Sequence, residues 1–386
     1  MRIGIDLTAA ITQGAGIGRY TRELVHALIE VDRQNEYRFF SSKLPAQLPV
    51  LNSIPVAPHV SHHPAPIDER WLYRLWYRLR LPIPVQLMTG PLDLFHSPDF
   101  VLPPVVGNIP TLVTVHDLSF LHYPETFPEK LVSYLNQVVP WSIGRATHIL
   151  ADSQATKDDL VNLWQVASDK ITVLYCGVNE RFQPVTDAGR ITAVTQKYHI
   201  NDQPYILSVG TVQPRKNYQM LIHAFEKVAA RFPHNLVISG GKGWLYDEML
   251  AEVEKRGLNG RVRFIGFVDD EDLPTLYSGA TLFVFPSLYE GFGLPLLEAM
   301  ACGVPLITSN ASSLPEVVGE TAVQLSPLRP ELWTNAMLQL LENPQQRSQI
   351  VADGFRQVRQ FNWTHSARQL LGIYMELVDG VGKKRP

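Results

Sequence analysis

Short apolar runs rich in β-branched residues alternate along the chain with segments of helical periodicity. Several runs are apolar on both sides, which is typical of parallel strands covered by helices on both faces. The predicted strands are 2–7, 37–41, 92–96, 111–115, 148–151 and 171–174, then 205–209, 236–239, 262–267, 282–285, 305–308 and 322–325. The predicted helices include 218–231, 245–256, 294–301 and 331–341. This alternation predicts an α/β protein with two doubly wound sheets in tandem.

The length of the chain, 386 residues, exceeds one ordinary core and indicates two domains. The segment 179–184 lacks periodicity and is interpreted as a linker. We therefore predict a first domain over residues 1–180 and a second over residues 185–362. Ligands of such sheets bind at the carboxyl ends of the strands, so two facing domains would form a site in the cleft between them.

Composition describes an ordinary globular protein, with 45% hydrophobic and 18% charged residues. The net charge of -3 gives no reason to expect nucleic-acid binding. The two cysteines, Cys176 and Cys302, lie in different halves, which excludes a disulfide framework and favours the reducing cytoplasm. The chain starts with a charged strand and its long uncharged stretches contain prolines, so we expect neither a signal peptide nor a membrane span.

The most informative segment joins the strand 282–285 to a helix and reads EGFGLPLLE over residues 290–298. Its glycines and proline predict a tight loop and a first helical turn, whose free amides suit an anion or sugar hydroxyls. Glu290 precedes the loop, and Glu298 lies about one turn into the helix. The alternative to a ligand site is that Glu290 caps the helix and Glu298 is a solvated surface residue. Isolated carboxylates in apolar surroundings need partners, so we interpret both as ligand contacts.

A second candidate segment, GTVQPRKN, covers residues 210–217 between the first strand and the first helix of the second domain. It places Arg215 and Lys216 at a predicted helix start, where cations oppose the helix dipole. An anionic ligand would offset this, because arginine binds phosphate through two hydrogen bonds and lysine adds a point charge. We therefore predict phosphate contact for both residues, rather than a pair of solvated cations.

Two motifs in the first domain are less specific. The segment GAGIGRY at 14–20 follows the first strand, but its G-x-G-x-G spacing departs from the dinucleotide fingerprint. We interpret it as a flexible glycine loop whose amides approach a phosphate or an acceptor. His116 directly follows the predicted strand 111–115, where it could donate a hydrogen bond or transfer a proton. Asp117 could orient His116 or bind an acceptor hydroxyl. A purely structural histidine is an equal alternative.

No metal site is predicted. Residues 270–272, DED, have the spacing of a divalent-metal site, but we interpret them as the acidic first turn of a helix that ends near Ser278. His62 and His63 are assigned to a proline-rich loop and are not expected to bind metal.

The segment 71–80 combines aromatic and basic residues. Its apolar side chains on one predicted helical face are Trp71, Leu75, Trp76 and Leu79. Such a helix can lie on a membrane surface, but packing on the first sheet is the interpretation we favour.

Together these segments resemble the retaining glycosyltransferases of family four, which have the GT-B fold of two facing Rossmann-like domains with an interdomain cleft. The resemblance covers essentially the whole chain and depends most on the E-x7-E element at 290–298, with support from 215–217, 116–117 and the glycine loop. It implies that Arg215 and Lys216 bind the donor diphosphate and that Glu298 holds the ribose hydroxyls. Glu290 and His116 are the implied catalytic residues beside the transferred sugar.

The same resemblance implies further contacts. The amides of Gly291, Phe292, Gly293 and Leu294 would face the transferred sugar, and Gly16 would approach the diphosphate. The candidate acceptor contacts are Asp117, Gly14 and Tyr20. The amphipathic C-terminal helix, 364–386, would pack back on the first domain.

The resemblance implies transfer, with retention, of a hexose from a nucleoside-diphosphate sugar to a glycan or lipid-linked acceptor. Mannose and GDP-mannose are favoured, as in bacterial polysaccharide assembly, without cofactor or metal. We expect a cytoplasmic enzyme, and peripheral contact with the inner membrane face through 71–80 remains the alternative to packing of this segment on the first sheet. A GT-B sugar-phosphate synthase with a small phosphorylated acceptor and a non-catalytic nucleotide-sugar-binding protein remain open alternatives.

Overall fold

The structure of the protein, a computed structural model, describes residues 1–14, 16–43, 55–200, 203–244 and 246–382. The chain folds into two compact α/β units. The first comprises Met1–Leu118, Lys130–Gly177 and Asn362–Pro386, and the second comprises Ser119–Glu129 and Val178–Phe361. The short segment Ser119–Glu129 therefore belongs to the second unit, although it lies inside the range predicted for the first domain.

Parallel strands and helices alternate in both units. The strands are β1 (Arg2–Asp6), β2 (Glu36–Ser41), β3 (Val60–Pro64), β4 (Leu94–Ser97), β5 (Thr111–Val115), β6 (His148–Ala151), β7 (Ile171–Val173), β8 (Tyr205–Val209), β9 (Asn235–Ser239), β10 (Val262–Gly266), β11 (Leu282–Phe285), β12 (Leu306–Ser309) and β13 (Val323–Leu325). The α-helices are α1 (Thr8–Thr12), α2 (Gly16–Val31), α3 (Glu69–Tyr73), α4 (Gln86–Thr89), α5 (Ser119–His122), α6 (Glu129–Arg145), α7 (Gln154–Trp164), α8 (Ala188–Lys197), α9 (Tyr218–Arg231), α10 (Tyr246–Lys255), α11 (Leu273–Ser278), α12 (Leu294–Ala301), α13 (Leu314–Val318), α14 (Pro330–Glu342), α15 (Pro344–Val358) and α16 (Trp363–Gly382).

The first sheet has seven parallel strands in the order β3-β2-β1-β4-β5-β6-β7. All residues of β4 and β5 are buried, as expected for parallel strands with helices on both faces. The strand order reverses between β1 and β4, so the chain leaves these neighbouring strands in opposite directions. Such a reversal opens a crevice at the carboxyl ends of the two strands.

The second sheet has six parallel strands in the order β10-β9-β8-β11-β12-β13. Its core includes Trp333, Phe225 and Leu221, which are completely buried. The strand order reverses between β8 and β11. The segments that follow these two strands contain the predicted phosphate pair and the E-x7-E element.

The C-terminal helix α16 completes the first unit. The Tyr374 hydroxyl lies 2.7 Å from Nδ1 of His96 on β4, and the Ser366 hydroxyl donates to the carbonyl of Tyr175 at 2.7 Å. Ala367 and Leu370 on the same helix are completely buried. The amphipathic pattern of this segment thus corresponds to a helix face that packs within the first unit.

Each of the twelve predicted strands overlaps an observed strand, but β3 was not predicted. His62 and His63 do not lie in a loop, because both belong to this outer strand, which pairs with β2. An outer strand needs fewer apolar residues than a central one, so hydrophobic periodicity gave no signal there. The predicted start of the helix 245–256, at residue 245, lies outside the described residues.

The helical face predicted for 71–80 is wrong. Helix α3 continues into a π-helical turn, Arg74–Arg78, which changes the angular spacing of the side chains. Leu72 and Trp76 are buried, whereas Trp71 and Leu79 are 52% and 62% exposed. Within the described part of the chain, no helix is both long and apolar enough for a membrane span.

Candidate active site

A basic turn follows β8 at the carboxyl edge of the second sheet. It is a short 3-10 helix, Pro214–Lys216, and Asn217 ends it in the left-handed conformation with a φ of 59°. The Asn217 side-chain amide donates to the carbonyls of Pro286 (3.1 Å) and Pro327 (2.7 Å), which fixes the turn beside the segment after β11. Helix α9 begins only at Tyr218. The two cations therefore lie in a separate turn directly before the start of α9.

Glu290 forms ion pairs with both cations of this turn. Its Oε1 accepts a hydrogen bond from Nζ of Lys216 at 2.6 Å, and its Oε2 lies 2.9 Å from Nη1 of Arg215. The three side chains are only 10–11% exposed, which excludes the alternative of solvated cations. Burial opposes the charge of Glu290, but Arg215 and Lys216 outweigh it and lower its pKa to about 2. Among these three side chains, the two cations outnumber the single anion.

Two serines after β12 hold the backbone around Glu290. The Ser312 hydroxyl accepts from the Glu290 amide at 2.8 Å. The Ser313 hydroxyl donates to the carbonyls of Glu290 and Phe292, each at 2.9 Å. Sequence reasoning missed both residues. The polar run after the apolar strand β12 was the sequence signal that could have identified them. Polar residues in that position lie near the site because the carboxyl ends of neighbouring parallel strands meet at one sheet edge.

The loop from Glu290 to α12 has the predicted form. Gly293 has a φ of 116°, and a Cβ atom there would lie 2.9 Å from the Leu314 side chain, so this position requires glycine. Glu298 lies one turn into the helix and is 3% exposed, and its Oε2 accepts from the Tyr277 hydroxyl at 2.8 Å. The alternative of a solvated Glu298 is therefore wrong. Gly293, rather than Glu290, is the residue that precedes the helix.

Aromatic residues from Ser119–Glu129 extend this site within the second unit. The His122 ring stacks on the Tyr289 ring, with centroids 4.8 Å apart and an interplanar angle of 19°. The indole of Trp244 donates to the Thr126 carbonyl at 2.5 Å. The carbonyl of Tyr289 also accepts a hydrogen bond from Arg215. The segment is thus connected, through Tyr289, to the backbone next to Glu290.

His116 follows β5 in the first unit and forms a buried pair with Asp152, which follows β6. Its Nδ1 lies 2.6 Å from Oδ2 of Asp152, and its Nε2 lies 3.3 Å from the Pro98 carbonyl. Burial works against the charged imidazole, but the Asp152 carboxylate prevails and raises the pKa of His116 to about 9. The raised pKa favours the protonated imidazole, which has an N–H donor at each ring nitrogen. Asp117 is partly buried beside it, and Asp152 was not predicted because it lies 36 residues away.

The predicted glycine loop is mostly helix. Helix α1 occupies the stretch after β1, and α2 already begins at Gly16, so Gly14 alone of the three glycines precedes it. A Cβ atom at Gly18 would lie 1.9 Å from the Gln13 carbonyl oxygen, which makes this glycine a packing requirement. The Tyr20 ring is 2% exposed and packs edge-on against the His116 ring, with centroids 4.9 Å apart. Tyr20 therefore supports His116 from within the core.

The acidic residues around 270–272 form ion pairs with lysine and arginine. Helix α11 ends at Ser278 as predicted, but it begins at Leu273, so residues 270–272 precede it and the predicted acidic first turn is wrong. Nζ of Lys197 lies 2.8 Å from Asp269 and 2.6 Å from Asp272, and Arg181 lies 3.3 Å from Asp270. Throughout the described ranges, no three His, Cys, Asp or Glu side chains form a group that could hold a metal ion.

Two family models match the chain, Glycosyltransferase Family 4 over residues 14–182 and Glycosyl transferases group 1 over residues 191–357. The O-antigen chain mannosyltransferase B of Escherichia coli is 33% identical over 373 residues, which cover 93% of this chain and 95% of that protein. The two parallel-sheet units and these matches define a glycosyltransferase with the GT-B fold. The chain belongs to glycosyltransferase family 4.

Solved structures have the same fold. Sucrose-phosphate synthase from Thermosynechococcus elongatus matches with a TM-score of 0.78 and 22% identity, over 98% of this chain and 100% of that chain. Alr3699/HepE from Anabaena, solved in complex with UDP and glucose, matches with a TM-score of 0.74 and 18% identity, over 97% of this chain and 100% of that chain. At these identities the likeness shows the fold alone.

Proposed function

We propose that the protein is a retaining mannosyltransferase of polysaccharide assembly that moves mannose from GDP-mannose to a glycan or lipid-linked acceptor. The observation that carries the proposal is the buried cluster of Arg215, Lys216 and Glu290 at the strand-order reversal of the second sheet. The mannosyltransferase relative, matched along nearly its whole length, supports the choice of sugar and of an O-antigen type of acceptor.

The donor diphosphate would bind at Arg215 and Lys216. Their two charges exceed that of Glu290, so the cluster attracts the negative charge that develops on the leaving diphosphate. This stabilisation needs no metal. With retention, the acceptor attacks from the face that the diphosphate leaves, and a phosphate oxygen accepts its proton.

The other residues of the predicted site receive distinct roles in this proposal. Glu290 and the amides of 291–294 face the transferred sugar, and Glu298 holds the ribose hydroxyls. Gly16, at the amino end of α2, approaches the diphosphate, and Asp117 and Gly14 contact the acceptor. The raised pKa of His116 disfavours removal of a proton at neutral pH, and a substrate that accepts from its Nε2 would replace the Pro98 carbonyl, 3.3 Å away, as the acceptor.

The proposed donor and acceptor also indicate where in the cell the enzyme acts. We place the enzyme in the cytoplasm, where nucleotide sugars are made, in peripheral contact with the membrane that carries a lipid-linked acceptor. The exposed side chains of Trp71 and Leu79 beside the exposed Arg74 and Arg78 support this contact, since arginines attract anionic lipids.

A donor screen with two matched double variants tests the proposal. We expect GDP to raise the melting temperature more than UDP or ADP does, and GDP-mannose to be turned over in the presence of EDTA. Arg215→Ala/Lys216→Ala should abolish transfer and weaken GDP binding at least ~30-fold, the equivalent of ~2 kcal/mol. Lys227→Ala/Arg231→Ala, two exposed cations on α9, serves as the control and should retain both properties. Unchanged GDP affinity in the folded first variant would contradict the proposal.

A further inference from the structure

Two carboxylates lie at the carboxyl ends of the neighbouring strands where the strand order of the first sheet reverses. Asp6 ends β1, and Asp99 follows β4 by two residues. The pairing of Ile5 with His96 makes the ends of β1 and β4 direct neighbours. Each carboxylate accepts one backbone amide, that of Thr8 at 2.8 Å for Asp6 and that of Phe100 at 2.6 Å for Asp99. Such a crevice is the usual ligand position of a doubly wound sheet.

Ser97 brings an unsatisfied hydroxyl to the same place. It is the last residue of β4 and completely buried, and its Oγ has no hydrogen-bond partner among the residues that the structure describes. Because Ile5 pairs with His96, the next residues along the strands, Asp6 and Ser97, share one face of the sheet. A buried hydroxyl without a partner is rare, and a ligand group would satisfy it.

Three tyrosines border this face. Asp6 is the register partner of Phe40 on the neighbouring strand β2. The ring centroid of Phe40 lies 5.5 Å from that of Trp76, which belongs to the π-helical turn after α3. Tyr73 and Tyr77 flank Trp76, with ring centroids 6.2 Å apart, and Tyr134 of α6 packs 4.4 Å from Tyr73.

The tyrosine rings are partly buried rather than enclosed. Burial raises the pKa of Tyr134 and of Tyr77, and the Asp99 carboxylate contributes to both shifts. The charge of Asp99 therefore acts on both of these rings.

We propose that Asp6, Ser97, Asp99, Tyr73, Tyr77 and Tyr134 form a subsite that binds a neutral sugar ring of the acceptor glycan. Carboxylates and a hydroxyl bind sugar hydroxyls, and tyrosine rings pack on the apolar face of a pyranose. The subsite adjoins His116, since Pro98 accepts from His116 and the Phe100 ring packs 5.5 Å from its imidazole. This inference rests on the proposed function, because it assigns the acceptor of that reaction.

Direct binding of α-linked mannotriose, measured by ligand-observed NMR without donor, tests the subsite. Asp6→Asn keeps the shape of the side chain and removes its charge, and Tyr134→Ala removes one ring. Each should weaken mannotriose binding at least about tenfold, as for lost hydrogen bonds to a charged group. The control is Asp169→Asn, an exposed aspartate before the amino end of β7, which should bind as the wild type does.

GDP affinity should stay within about twofold in all three variants, and thermal melting confirms that they fold. Equal mannotriose binding in both site variants and the wild type, or no binding by the wild type, would overturn the subsite. Failure of the proposed function would look different. In that case the wild-type protein would neither bind GDP nor turn over GDP-mannose, whatever its affinity for mannotriose.

Discussion

Replacing Glu290 with glutamine tests the charge cluster of the second unit. The change keeps the size of the side chain but removes the negative charge that pairs with both Arg215 and Lys216. The two cations lower the Glu290 pKa from 4.5 to about 2, and each pKa unit corresponds to about 1.4 kcal/mol, so the charge contributes about 3 kcal/mol at pH 7. Breaking a buried ion pair by removing one partner costs about 3–5 kcal/mol, which agrees.

The pH dependence has a definite sign. A carboxylate whose pKa is lowered on folding stabilises the protein above the unfolded value of about 4.5, and this contribution is lost as the pH falls towards 2. The difference between the wild type and Glu290→Gln should therefore be constant from neutral pH to about 5 and shrink to roughly half by pH 3.

Hydrogen-exchange mass spectrometry of peptides covering β8 and β11 measures this effect in the unit concerned. The matched control is Glu342→Gln, which removes the ion pair between Glu342 and Arg231. The side chain of Glu342 is 50% exposed and that of Arg231 is 57% exposed. Such a pair contributes at most about 1 kcal/mol. The reasoning is refuted if the Glu290→Gln and Glu342→Gln variants lose equal protection at pH 7.

A double variant separates the charge effect from simple repacking. Lys216→Met in the Glu290→Gln background restores the net charge that the cluster has in the wild type. We expect the double variant to be more stable than Glu290→Gln alone by about 2 kcal/mol, within the range of coupling energies between contacting residues. Additive destabilisation would show that the lost stability does not come from unpaired charge.

Three further predictions follow from the other ionisable residues. NMR of histidine-labelled protein should show that His116 loses its proton near pH 9, and Asp152→Asn should lower this midpoint, because burial is then opposed by the weaker effects of the Asp99 carboxylate and the Pro98 carbonyl; an unchanged midpoint would contradict the pairing. Burial raises the pKa of Asp6 to about 6, so its ionisation opposes folding as the pH rises through 6. Asp6→Asn should accordingly increase the free energy of unfolding by about 1–3 kcal/mol at pH 8 and have little effect at pH 4, and urea titrations at both pH values check this. In steady-state kinetics, Glu298→Ala should raise the donor KM more than it lowers kcat, whereas Glu290→Ala should chiefly lower kcat; the reverse pattern would exchange the sugar and ribose contacts.

Local sequence was sufficient for most elements and for the form of the E-x7-E loop. Strand and helix periodicities depend on residues within one segment, which is why every predicted strand overlaps an observed one. The glycine and proline positions around 291–295 specify a turn by their own backbone preferences, and Gly293 has the predicted role. Local reasoning failed at β3, whose outer position removes the apolar signal, and at 71–80, where a π-helical turn changes the helical spacing.

Only the tertiary structure decided which side chains meet. Glu290 and Lys216 are 74 residues apart, and His116 and Asp152 are 36 apart, yet each pair is in direct contact. These distances depend on the strand order, which places β8 beside β11 and β5 beside β6. Periodicity does not specify that order, because any parallel strand presents a similar apolar surface to its neighbours. The sequence therefore determined which residues end the strands, and the packing of the sheets determined their partners and charges.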